Sequence, residues 1–264
     1  MPQPEPFVRE SGHGPTVACL HSNASHSGQW RDLMDLLSPR FRVIAVDSWG
    51  AGKTADWASD RTITLADEVD LIAPLLAGAG TPAFLVGHSY GAAVALKAAL
   101  LQPTRFAGLV LYEPTLFALV DRRTPADVDG IRDAIARASA CLDRGDGDGA
   151  ARAFIDFWMG AGAWDSMPAD RRPAMAQSVR NVRRWAHALM TEPATLEDIA
   201  SLRTPVAILT GGRSPRSSLS VAELLRATLP DVRSEVFPGL GHMAPVTDPG
   251  QVNPVIARGL DAMG

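Results

Sequence analysis

Ala83-Phe84-Leu85-Val86-Gly87-His88-Ser89-Tyr90-Gly91-Ala92-Ala93-Val94-Ala95-Leu96 decides the reading of this chain. Four apolar residues predict a strand, Gly87–Gly91 is a G-x-S-x-G turn, and the Ala-rich run from Ala92 to Leu100 predicts a helix. That strand–turn–helix setting gives the pentapeptide its meaning. The turn is tight enough that Gly87 and Gly91 must let two backbones approach without a Cβ between them. Ser89 then projects beyond the strand end, at a helix N-terminus whose dipole favours a nearby anion. Such a serine is a candidate nucleophile, and the backbone N–H of Tyr90 is a candidate oxyanion donor.

Outward from this turn, strand-like and helical runs alternate, which predicts an α/β fold with a mostly parallel sheet. Strands are expected at 16–20, 41–46, 83–86, 108–112, 206–209 and 233–237. Helices are expected at about 29–37, 65–76, 92–100 and 249–260. From about Thr115 to Pro193 the pattern is helical only. The expected organisation is a core over 1–115, a helical cap over 116–195 and the rest of the core over 196–264.

Composition bounds the function. The 264 residues are 46% hydrophobic and 20% charged, as expected for a packed globule. A net charge of −4 offers no basic footprint for nucleic acid. Cys19 and Cys141 are too few for a disulfide framework, and Cys19 sits inside an apolar strand. The N-terminal residues lack a basic and an apolar region, and no apolar run reaches the length of a membrane span. The expectation is a cytoplasmic protein that binds a small molecule, with neither nucleic acid nor membrane as partner and no metal or organic cofactor.

The chain resembles the α/β-hydrolase fold family with a helical cap over essentially its whole length. Asp47-Ser48-Trp49-Gly50-Ala51-Gly52-Lys53-Thr54 is similar to that family's D-x-x-G-x-G-x-S loop, and Gly241-His242-Met243 to its late G-H segment. The resemblance implies a mostly parallel central sheet flanked by helices, and a serine hydrolase working through an acyl-enzyme. His21-Ser22-Asn23 is similar to the H-G-x loop, with Ser22 in place of the glycine. It implies Asn23 as the second oxyanion donor. Gly52-Lys53-Thr54 is not a P-loop, because Asp47 stands where the first glycine belongs. Asp143, Asp146, Asp148 and Gly149 lack the spacing of a calcium loop and read as a turn between helices.

A serine hydroxyl needs a base within hydrogen-bonding reach. His242, which follows a strand and has Gly239 and Gly241 around it, is the candidate among six histidines. His88 reads as structural. His21, Trp158, His187 and Met243 are candidate pocket residues, and the arginine pairs of the cap read as solvated helix faces. The acid of the triad is displaced. Most relatives place Asp after the next-to-last strand, but here Gly211-Gly212-Arg213-Ser214 puts a serine there, and no Asp or Glu occurs from 199 to 222. Glu113, at the end of the strand after the turn helix, is the substitute, with Pro114 expected to hold it extended. Asp198, Asp121 or no carboxylate at all are the alternatives. The function reading is a hydrolase of small esters or related carbonyl compounds. Carbon–carbon bond hydrolysis, lactone opening, acyl transfer and cofactor-free peroxidation share these residues, and a binding protein or receptor with little turnover is the rival from another class.

Overall fold

The computed structural model describes residues 5–77 and 82–264. Among the described residues seven strands form one sheet: β1 (Val8–Ser11), β2 (Thr16–Leu20), β3 (Arg42–Val46), β4 (Ala83–His88), β5 (Phe106–Tyr112), β6 (Val206–Gly211) and β7 (Val232–Phe237). Their spatial order is β1-β3-β2-β4-β5-β6-β7. Only β1 runs antiparallel, against β3. The inner parallel strands, β2 to β6, are covered on both faces, so they read as continuous apolar runs, and their side chains divide by alternation; the edge strand β7 is mostly exposed. Val17, Cys19, Val43, Ala45, Phe84, Val86, Val110 and Tyr112 enter one core layer. Ala18, Leu20, Ile44, Val46, Leu85, Leu109 and Leu111 enter the other. The first layer is closed by α1 (Arg31–Leu37) and, near the C-terminus, by the helix over Pro249–Asp261. The second is closed by α2 (Leu65–Ala77) and α3 (Tyr90–Leu101), among others.

Between β5 and β6 every described element is helical: α4 (Phe117–Asp121), α5 (Asp129–Asp143), α6 (Gly147–Met159), α7 (Ala163–Ser166), α8 (Arg172–Val179), α9 (Val182–Met190) and α10 (Leu196–Ser201), with a 3₁₀ turn at Pro125–Val128. Asp146 accepts from Gly149 N–H and caps α6, the turn role its acidic cluster suggested. After β6 come α11 (Arg216–Thr228), β7, α12 (Ala244–Thr247) and α13 (Pro249–Asp261).

Two expectations need adjustment. The helix expected from 29 opens as a 3₁₀ turn at Ser27–Trp30, and α3 begins at Tyr90, directly after the serine. The register then matters most for chemistry. Leu20 pairs with Gly87, His88 with Tyr112, and Tyr112 with Leu209. The residues following β2, β4 and β5 (His21, Ser89 and Glu113) therefore emerge along one sheet edge.

Candidate active site

Ser89 has φ +56° and ψ −114°, the left-handed, strained conformation of a sharp strand-to-helix turn. Its N–H donates to Tyr112 O at 2.9 Å, tying the turn to β5. The glycines around it are required sterically. A Cβ on Gly87 would lie 2.5 Å from Ala92 Cα, and one on Gly91 would run into the Leu20 carbonyl at the end of β2. Tyr90 is the first residue of α3, so its N–H has no intrahelical acceptor.

His242 lies between β7 and α12, 2% exposed, with its ring wedged between two partners. Its Nε2 stands 2.9 Å from Ser89 Oγ and its Nδ1 stands 2.6 Å from Glu113 Oε2. With Nδ1 donating to the carboxylate, Nε2 is left as the acceptor for the serine proton. Glu113 is fully buried, and its other oxygen is also satisfied: Oε1 accepts from Gly211 N–H at 2.6 Å and from Ser214 Oγ at 2.5 Å. Ser214, at the position where the sequence lacks an Asp, thus helps hold the carboxylate that faces His242. Asp121 instead pairs with Arg132, and Asp198 caps α10 through Thr195, so neither faces His242.

The backbone at Glu113 corrects the sequence expectation. It is not extended but left-handed, with φ +46°. The preference of a residue before proline for extended backbone is overridden by four partners. Glu113 N–H continues the sheet by donating to Leu209 O at 3.0 Å, while its side chain turns to meet Gly211, Ser214 and His242. A strain of about 1–3 kcal/mol is the usual cost of such a residue.

Residues 17–255 match the model of the alpha/beta hydrolase family. The chain belongs to the alpha/beta hydrolase family. This hydrolase-family chain is 28% identical over 273 residues to 2-(acetamidomethylene)succinate hydrolase of Mesorhizobium japonicum, covering 97% of the chain and 91% of that relative. It is 38% identical over 108 residues to the pimeloyl-[acyl-carrier protein] methyl ester esterase of Methylococcus capsulatus. That alignment covers 40% of the chain and 39% of the esterase, so the chain spans about two fifths of its length. A solved alpha/beta hydrolase from Sphaerobacter thermophilus superposes with a TM-score of 0.73 at 26% identity, covering 97% of this chain and 96% of that one.

The hydrolase-family scaffold places a cavity of about 650 Å³ over Ser89. Ser22, Asn23, Ser89 and His242 form its polar end, and Phe117, Ile155, Trp158, Met175, Leu189 and Met243 are among its apolar walls. Of the candidate pocket residues, Trp158 and Met243 line this cavity. Two candidates are not. His21 is 1% exposed and off the cavity: its Nε2 accepts from Ser48 N–H at 3.0 Å and its Nδ1 bonds Ser22 O at 2.7 Å. Burial lowers its pKa to about 4, so it is a neutral strut between two loops. His187 faces solvent, because α9 buries Val182, Trp185, Ala188 and Leu189 and position 187 lies off that stripe.

Ser22 fits where relatives carry glycine, because the left-handed residue of this loop is Ala24, at φ +54°. Gln29 Oε1 steadies it, accepting from Ser22 N–H at 3.2 Å. Gln29 also donates to His88 Nδ1 at 3.2 Å, and His88 Nε2 donates to the His242 carbonyl at 2.8 Å. Desolvation holds the His88 pKa well below its ordinary value, so the variable residue of the G-x-S-x-G turn, the elbow between β4 and α3, anchors the backbone of His242 as a neutral ring. Asp47 accepts from Ser27 N–H at 2.6 Å and Lys53 N–H at 2.9 Å. A carboxylate at the centre of that loop would repel a phosphate there. Among the described residues no cluster of three or more His, Cys, Asp or Glu is placed to hold a metal, and no helix is long and apolar enough to cross a membrane.

Glu68 carried no signal in the sequence. It is 1% exposed beneath the elbow, accepting from Tyr90 OH at 3.1 Å and from Trp49 N–H at 3.3 Å. Burial raises its pKa to about 8. Unfolding returns it to the ordinary carboxylate range, so it disfavours folding increasingly as pH rises from about 4.5 toward 8. Glu68→Gln, which mimics the protonated acid, is expected to raise Tm more at pH 8 than at pH 5. The gap should widen by at least roughly 3 °C, the equivalent of about one pH unit of titration. Thermal melts at both pH values check this, and an unchanged gap would contradict the buried neutral carboxyl.

Proposed function

We propose that the chain is a serine hydrolase that cleaves small esters or related carbonyl compounds with an apolar acyl or aryl group, through an acyl-enzyme. One observation carries the reading: a continuous relay from Ser89 Oγ through both nitrogens of His242 to Glu113, at 2.9 and 2.6 Å. In the proposed reaction Ser89 Oγ attacks the carbonyl carbon as His242 Nε2 takes its proton. The oxyanion is met by the N–H groups of Tyr90 and Asn23. The imidazolium then protonates the leaving group, and water repeats the sequence on the acyl-serine. Every step uses side-chain or backbone groups of the chain.

The apolar substrate follows from the cavity wall, where Arg171 is the one side chain of fixed charge among the described residues. The helical segment over 116–195 acts as the cap, supplying Phe117, Ile155, Trp158 and Met175 to the pocket while the sheet supplies the triad.

Labelling with a fluorophosphonate tests the reading. The wild type should gain one covalent adduct by intact-mass spectrometry, mapped to Ser89, and Ser89→Ala should gain none. A well-folded wild type without an adduct would favour a binding protein that keeps the pocket. Chromogenic esters of increasing acyl length would then define the preferred substrate.

A further inference from the structure

The indole of Trp158 lies face to face with the His242 imidazole, with ring centroids 3.9 Å apart and planes at 23°. Trp158 belongs to α6 of the helical segment, whereas His242 belongs to the loop after β7. Trp158 stands between two spaces, the cavity of about 650 Å³ over Ser89 and a second of about 550 Å³ reaching Arg213 and Gly239. Its plane is set from behind by two edge-on rings, Phe157 at 4.8 Å and 80° and Phe154 at 6.2 Å and 71°. An aromatic face within about 6 Å of a cation attracts it, and a tryptophan face does so best. The cation in question exists only transiently, when Ser89 gives its proton to Nε2: the Oγ–H bond breaks, the Nε2–H bond forms, and the positive charge spreads over the stacked ring.

We propose that Trp158 is a positioning residue of the triad, holding the His242 ring between Ser89 and Glu113 and stabilising the imidazolium formed during attack. The inference rests on the serine-hydrolase reading and goes beyond it. It makes the helical segment part of the proton-transfer machinery as well as a pocket wall. Other charged or titratable groups around the ring are Glu113 on Nδ1, neutral His88 with its centroid at 5.3 Å, and Arg213 across the second cavity. None of them changes in the variants below.

The sign of a pH shift separates this role from simple packing. Losing the aromatic face removes a stabiliser of the cation, so the ring gives up its proton at lower pH. Losing only packing lets water reach the ring and solvate the cation, which moves titration to higher pH. The experiment measures the rate of Ser89 labelling by a fluorophosphonate between pH 5 and pH 9, for wild type, Trp158→Phe and Trp158→Leu. We expect the acid limb of Trp158→Leu to move down by about half a pH unit or more, and its plateau rate to fall about threefold to tenfold. Trp158→Phe, which keeps a weaker π face, should lie between. An acid limb in Trp158→Leu that stays fixed or moves up would overturn the proposal, as would identical Phe and Leu variants. If Trp158→Leu fails to fold, an acid limb in Trp158→Phe that does not move down would overturn it equally. A wild type that is never labelled would instead overturn the hydrolase reading itself.

Discussion

Glu113→Gln is expected to lower kcat by at least about a hundredfold while the protein keeps its fold. The effect comes from tautomer control more than from lost charge. Gly211 N–H and the Ser214 hydroxyl both donate to Glu113 Oε1. In the variant these two donors select the amide oxygen for that position, which turns the amide NH₂ toward His242 Nδ1. Two donors cannot face one another, so Nδ1 gives up its proton and becomes the acceptor. The ring proton then sits on Nε2, pointing at Ser89, and the serine loses its base. Steady-state kinetics on the best chromogenic ester, with thermal melts run alongside, measure the effect. A folded Glu113→Gln protein with near-native kcat would mean that another group orients the histidine. Ser214→Ala should be milder, because the Gly211 N–H still holds Oε1 in place.

The same region shows what the sequence could and could not convey. Glu113 was legible as the candidate acid, since residues 199–222 hold no carboxylate and strand ends on this side of the sheet converge, and its carboxylate does meet His242 Nδ1. Its conformation was not legible. The rule for residues before proline is local, whereas the φ of +46° follows from partners on β6 and the loops after β6 and β7. The inner parallel strands, β2 to β6, declared themselves as apolar runs, but β1 did not. Its four residues, Val-Arg-Glu-Ser, form a half-exposed edge and carry no hydrophobic period. Helix α11 hid for the opposite reason. It opens Arg-Ser-Ser-Leu-Ser, a loop-like composition, yet Ser217, Ser218 and Ser220 are buried. Ser218 bonds back to Pro215 O, and Ser220 bonds Asp127. His21 and His187 were misplaced because neither loop membership nor helical position reports which way a side chain faces. Trp158 read only as a pocket or packing aromatic, since nothing in a period of 3.6 residues announces a neighbour on another segment more than 80 residues away.

Gly91→Ala is expected to damage stability and chemistry together. One methyl group is added, but it lands on backbone at the closest approach of α3 to the end of β2. The new Cβ would overlap Leu20 O and Leu20 C and lie 2.6 Å from His21 O. No side chain there can swing aside, so the strand end and helix start must part. The separation breaks the Gly91 N–H bond to His21 O, now 3.1 Å, and shifts the His21-Ser22-Asn23 segment relative to Tyr90. Overpacking of this kind costs about 1–3 kcal/mol, which for a domain of this size is a Tm loss of roughly 3–10 °C. The two proposed oxyanion donors sit on opposite sides of the same contact, and losing one such donor typically costs about 10²–10³ in kcat. The folded fraction of Gly91→Ala should therefore label with fluorophosphonate at least about tenfold more slowly than wild type at equal concentration. Gly250→Ala is the matched control. It adds the same methyl in the first turn of α13, where a Cβ meets nothing within 4 Å. It should melt at or slightly above the wild-type temperature, because alanine is the better helix former. If both variants behave alike, the approach of α3 to β2 does not set the oxyanion geometry, and the glycine of the elbow serves only to form the turn.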